Sequence, residues 1–145
     1  SQNSAQLNLA NAYFSLKGVV TTVAIRKMLQ ARAGIQPLAK IVGVAFGDGA
    51  VVDGLLAQPD PDHPYLKNEI YRQENDGYTI ISDTCIRYTC TLAKETLKGN
   101  RINEMALYDA DGDLVAIKSF LDKGKDEDIE MVFEIDDTFY KEEEA

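Results

Sequence analysis

Asp109, Asp111 and Asp113 alternate in the run Asp109-Ala110-Asp111-Gly112-Asp113, the spacing with which acidic residues open a calcium loop. Such a loop needs glycine at its sixth position and a bidentate glutamate at its twelfth. Those positions are Leu114 and Phe120 here. Asp-Gly between two alternating apolar stretches is turn chemistry, so the segment is read as a hairpin turn with solvated carboxylates. Gly47-Asp48-Gly49 follows an apolar run as phosphate loops follow a strand, but it lacks the GxxxxGK[ST] and GxGxxG spacings. It is read as a tight turn that uses glycine's freedom at positive φ. His63, the single histidine, lies between Asp62 and Pro64, which makes neither a triad nor a zinc site. It is read as a surface-loop residue. Cys85 and Cys90 have no evident base to activate a thiolate and are read as small apolar fillers. Glu69, Arg72 and Glu104 are charges set in apolar strand context. Paired carboxylates could do acid–base work, but salt bridging or a subunit contact is the better reading, with Arg72 expected to bridge a carboxylate in a buried setting. No catalytic, cofactor-binding or metal-binding residue is assigned.

The elements that must position these groups fall into two halves. Residues 4–33 read as helical. Leu9, Ala12, Tyr13 and Leu16 fit one helix face, with Ser4 as a cap and Gly18 as a stop. Thr21 or Thr22 caps a second helix whose apolar stripe is Ala24, Ile25, Met28, Leu29 and Ala33, with Arg26, Lys27 and Arg32 facing out and Gly34 ending it. Strand patterns follow. Residues 38–46 form an apolar run, and residues 47–66 a long connection holding Pro59, Pro61 and Pro64. From Tyr78 to Leu92 the even positions are mostly apolar, which predicts one strand with a buried face, and places Cys85 and Cys90 on opposite sides of it. Residues 102–108 and 114–120 flank the Asp-Gly turn, residues 123–128 form a charged turn, residues 129–136 alternate again, and residues 141–144 form a solvated tail. Helices first and strands after predict an α+β fold: N-terminal helices followed by an antiparallel sheet or sandwich with a long Pro-rich loop. The expected divisions are a helical extension over 1–18, one domain over 19–140 and an acidic tail over 141–145.

The chain has 145 residues, 45% of them apolar and 27% charged, with a net charge of −9. That is a globular composition of single-domain size. The acidic balance argues against nucleic acid and against anionic membrane surfaces as partners. No apolar run approaches the roughly 18 residues that a membrane span needs, so no membrane insertion is expected. The opening residues lack the basic and apolar stretches of a signal peptide.

Four segments, in order, resemble one family. Val44-Ala45-Phe46-Gly47-Asp48-Gly49 is similar to the "(I/V)A-x-GDG" segment of the phage tail-collar fibre domain, the N-terminal part of tail fibre proteins of contractile-tail phages and related particles. Leu66-Lys67-Asn68-Glu69-Ile70-Tyr71-Arg72 resembles its "L-x-NE-(V/I)-x-R" segment. Asn103 to Ala116, which reads NEMALYDADGDLVA, resembles its "(N/R)E-(I/L)-(G/A)-LYD-x-x-G-x-L-(I/V)-A" hairpin. Thr21-Thr22 before an alanine-containing helix resembles its opening. The resemblance covers about residues 20–138. It departs at Ala50-Val51-Val52, where the family often has further glycines, and family members usually continue into a shaft and receptor-binding tip. With nothing after Ala145, the expectation is either a piece of a longer fibre or a stand-alone adaptor.

The resemblance implies a structural protein of a virion tail or of a prophage-derived or tail-like particle. Such a protein is made in the bacterial cytoplasm and attaches a fibre to the baseplate, in the service of host adhesion. It implies a homotrimer about a fibre axis, with other tail or baseplate proteins as partners and no cofactor. Gly47, Asp48, Gly49, Asn68, Glu69, Arg72, Glu104, Tyr108 and Gly112 are the structural or interface residues that it singles out. A small carbohydrate- or protein-binding module, or a carboxylate-dependent enzyme, is the alternative that the residues leave open.

Overall fold

Alternating apolar residues are spent on two sheets packed face to face. The computed structural model describes residues 12–17, 19–125 and 129–139. In chain order the described elements are β1 (Ala12–Lys17), β2 (Val19–Val20), α1 (Thr22–Arg32), β3 (Ile41–Gly47), β4 (Val51–Val52), β5 (Leu55–Leu56), β6 (Glu69–Glu74), β7 (Gly77–Ser82), β8 (Cys85–Leu92), β9 (Arg101–Asp109), β10 (Leu114–Gly124) and β11 (Met131–Thr138). One sheet has the order β1-β11-β8-β7 and the other β2-β10-β9-β3-β6. Every pairing is antiparallel except β1 with β11.

The main core lies between the sheets. Val44, Phe46, Met105 and Leu107 from the five-stranded sheet meet Cys90, Leu92, Met131, Phe133 and Ile135 from the other. The Phe46 and Phe133 rings meet edge-on with centroids 5.0 Å apart. Each large side chain buried in this way contributes on the order of 1.5–3 kcal/mol. Ala45 and Ala106, one residue out of phase, form a second cluster with Leu66, Leu114 and Ile117 on the opposite face. Strands β3 and β9 are therefore buried on both faces, and the sequence of β3 accordingly carries no charged residue and runs nearly continuously apolar.

The expected α+β fold with N-terminal helices is overturned: the described chain is mostly antiparallel sheet with one short helix. Residues 12–17, expected as helix, form β1, with Ala12, Phe14 and Leu16 in register with Met131, Phe133 and Ile135. A short apolar run fits both periods, and an available strand partner decided between them. Ser4, Leu9, Gly18, the turn residues 126–128 and the tail at 141–144 lie outside the described residues.

The single strand expected from Tyr78 to Leu92 is a hairpin turning at Asp83-Thr84. A register irregularity between Ile80 and Ser82 shifts the pairing by one, so Tyr78, Ile80, Ile86 and Tyr88 stay on one face. Parity runs unbroken through the turn, which is why the sequence reads as one strand. The connection over 47–66 holds a small hairpin, β4 with β5, around Asp53 (φ 52°) and Gly54 (φ 76°). Asp-Gly is the signal for that turn, and the proline-rich surroundings masked it.

Helix α1 starts as expected. Thr21 caps it, its hydroxyl accepting the Ala24 N–H at 3.2 Å and donating to the Leu114 carbonyl at 2.8 Å. Thr21 is thus both cap and bolt to β10. Of the expected apolar stripe only Ala24 is buried, whereas Ile25 and Leu29 are exposed. No helix among the described residues is long and apolar enough to cross a membrane.

Candidate functional site

Glu104 is a carboxylate in the middle of β9, 2% exposed. A buried carboxylate needs hydrogen-bond donors on both oxygens, and the folded loops supply them. The backbone N–H of Lys67 donates to Oε1 at 2.8 Å, and those of Gly49 and Asn68 donate to Oε2 at 2.9 Å each. Asn103, one residue earlier, accepts the Ala50 N–H on Oδ1 at 2.8 Å and donates from Nδ2 to the Asp48 carbonyl at 3.0 Å and to Asp122 at 2.9 Å. Asp48 is tied to Asn68 twice: its N–H donates to the Asn68 carbonyl at 3.1 Å, and its carboxylate accepts the Asn68 amide at 2.6 Å. The segments around residues 48, 68 and 104 thus form one knot, closed by two adjacent side chains of β9.

This knot corrects the reading of the glycines. Gly47 and Gly49 do not have positive φ. A Cβ on Gly47 would lie 2.6 Å from Oε2 of Glu104, and one on Gly49 would lie 2.7 Å from the Asn68 nitrogen. Space for the Glu104 carboxylate and its donors requires glycine here, not backbone handedness. Gly112 does carry positive φ, +87°, in the β9–β10 turn, as Asp-Gly chemistry predicts.

Arg72 makes a different cluster. It forms a two-pronged pair with Glu69, Nε and Nη2 each 2.8 Å from a carboxylate oxygen. Its Nη1 donates to the Gly112 carbonyl at 3.1 Å, and its guanidinium lies 4.5 Å over the Tyr108 ring. The hydrogen bond to Glu69 raises the pKa of Arg72, against the opposing effect of burial. Burial raises that of Tyr108, with Arg72 opposing. The expected buried bridge to a carboxylate is corrected in one respect: the pair sits half-exposed, with side-chain exposures of 32% and 34%. Glu104 does not take part, because backbone amides already satisfy it. All nine singled-out residues lie on or beside β3, β6, β9 and the β9–β10 turn, divided between the Glu104 knot and the Arg72 cluster.

Lys27 was expected to face outward. It turns inward instead, its ammonium 2.7, 3.0 and 2.6 Å from carboxylate oxygens of Asp109, Asp111 and Asp113. Those three carboxylates lie close enough together to hold a metal ion, and the lysine cation stands among them. Asp109 is buried rather than solvated, and its Oδ1 accepts the N–H groups of Asp111 and Asp113 at 3.0 and 3.1 Å. Burial works against the lysine's charge, but the bonds to Asp109, Asp113 and Asp111 outweigh it and raise its pKa above the ordinary 10.5. A lone lysine on a helix gives no sequence signal for this contact, which spans 82 residues.

His63 is exposed and stacks edge-on against Tyr65. Cys85 and Cys90 are free thiols, and burial pushes Cys90 up to about 12 and Cys85 up as well. Neither is poised as a nucleophile. Chemically, the arrangement can lock loops and present a shaped surface. Its carboxylates are already engaged by amides, by Lys27 or by Arg72.

No curated protein and no solved structure matches the chain. A family model described as phage tail-collar fibre protein, N-terminal, matches residues 11–133, which takes in β1, the Glu104 knot and the Arg72 cluster alike, and the chain therefore belongs to the phage tail-collar fibre family.

Proposed function

We propose that this protein is a non-enzymatic component of a phage tail or tail-like particle that attaches a fibre, or serves as a short fibre or adaptor, at the baseplate. It does so as a homotrimer together with other tail proteins. The observation that carries the reading is the family match over residues 11–133. The geometry supports it: the three strand-borne segments that carry the family pattern hold one another in place through Glu104 and Asn103. A scaffold for attachment needs such rigidity, and its binding comes from shape and charge complementarity across interfaces.

Purified particles test the reading. The chain should co-sediment with assembled tails, and cells lacking it should yield tails without fibres. Normal fibres on tails from such cells would overturn it.

A further inference from the structure

Helix α1 buries little of itself. Among its residues only Ala24 is buried, and Lys27 reaches inward to the three aspartates of the β9–β10 turn. Ile25 and Leu29, one turn apart on the outward face, are 45% and 56% exposed. Gly34, at φ 76°, reverses the chain after the helix, and the Ile35 N–H donates to the Gln30 carbonyl at 2.9 Å. Ile35, 68% exposed, is thereby folded back beside Leu29. The result is an open groove of about 340 Å³ lined by Thr22, Ile25, Arg26, Leu29, Gln30 and Ile35. Three aliphatic side chains held together in water form a surface that burial would stabilise.

The charge around this groove is the reverse of the protein's. Of the 15 Lys and Arg and the 24 Asp and Glu, residues 1–47 hold five of the former and none of the latter. Arg26 lines the groove, and Arg32, seven residues after Ile25, falls on the same helix face as Ile25 and Leu29. Arg72, Arg87 and Arg101 each pair with a carboxylate. Arg26 and Arg32 are exposed and have neither an ion pair nor a hydrogen-bonded side-chain partner among the described residues. Asp62, at the start of the helix, accepts the Thr22 hydroxyl and forms no ion pair with either arginine.

We propose that this groove docks an acidic, amphipathic segment of a partner protein. An apolar side chain of that segment seats among Ile25, Leu29 and Ile35, and its carboxylates meet Arg26 and Arg32. Charge selects the occupant. Nucleic acid or an anionic membrane would bring extended negative charge against the acid-rich residues 48–145 as well, and neither presents a side chain shaped to a recess. A second copy would set one net charge of −9 against another. A short acidic segment meets the two arginines alone, because screening confines charge interactions at a surface to about 8 Å. The inference rests on the proposed attachment role only in taking the partner to be another tail protein.

Fluorescence anisotropy with a labelled synthetic helix, leucines along one face and glutamates along the other, tests it. The parent should bind this peptide, more weakly as salt rises, and should not bind the same helix with lysines in place of the glutamates. Leu29→Gln, and Arg26→Gln combined with Arg32→Gln, should each weaken binding about tenfold or more. All three residues are exposed, so both variants should keep the parent's melting temperature. A parent that does not bind, equal binding of the two helices, or variants that bind as the parent does overturns the inference. A multimeric parent that these variants render monomeric also overturns it, giving the face to a second copy. So does sedimentation with phosphatidylglycerol vesicles that the variants abolish, which gives the face to a membrane. Absence of the parent chain from purified tails would remove the attachment role and leave the groove to be judged by the peptide alone.

Discussion

The Gly49 N–H donates to the buried Glu104 carboxylate at 2.9 Å, joining positions 55 residues apart. Gly47 and Gly49 leave the space for that carboxylate, Asn68 and Lys67 complete its donors, and the strand that carries it is buried on both faces.

Glu104→Ala strands three backbone donors, and it should cost about 3–5 kcal/mol, as removal of one side of a buried charged network does. In a chain of this size that lowers the melting temperature by roughly 10 °C. Glu104→Gln keeps one acceptor but turns its amide toward a backbone donor, so it should fall between parent and alanine. Thermal denaturation of the three proteins checks the order, and equal melting temperatures would show that the knot contributes nothing.

Lys27 links stability to alkaline pH. Its folded pKa is raised above the ordinary 10.5, so its contribution is complete below about pH 10.5 and is lost as the pH climbs through the folded value. Lys27→Met removes that contribution at every pH. The stability gap between parent and variant should therefore be widest at neutral pH and narrow at strongly alkaline pH. Millimolar calcium should leave the parent's melting temperature unchanged, since the Lys27 ammonium already occupies the space between the three aspartates.

Arg72→Ala should be mild. A half-exposed ion pair contributes about 0–1 kcal/mol and a cation–π contact at an open site about 0.5–1. Chemical denaturation should show a total loss below about 2 kcal/mol. A larger loss would mean that the guanidinium supports the Gly112 turn beyond its own contacts.

Thiol labelling at pH 8 should separate the two cysteines. Cys90 is fully buried, with its thiol pushed up to about 12, so it should react only as the protein unfolds. The half-buried Cys85 should react faster, though below the rate of a free thiol, because burial raises its pKa too. Equal rates in the folded protein would contradict this burial.

The sequence by itself determined the strand patterns around residues 41–46, 102–108, 114–120 and 131–136, a threonine cap on α1, the Gly112 turn and the family, because each rests on local chemistry: alternation or an apolar run, a hydroxyl before a helix, Asp-Gly between strands, and ordered motifs. It also marked Glu104 as a charge in apolar context, but not its partners. Only the tertiary structure decided that residues 12–17 pair as a strand, since their apolar spacing fits helix and strand and β11 broke the tie. It alone turned Lys27 inward, packed Gly47 and Gly49 against Glu104, and let parity run through the turn at Asp83-Thr84. Those outcomes depend on which distant backbone or charge arrives beside a residue. A side chain's type states what it needs, and the fold states which neighbour supplies it.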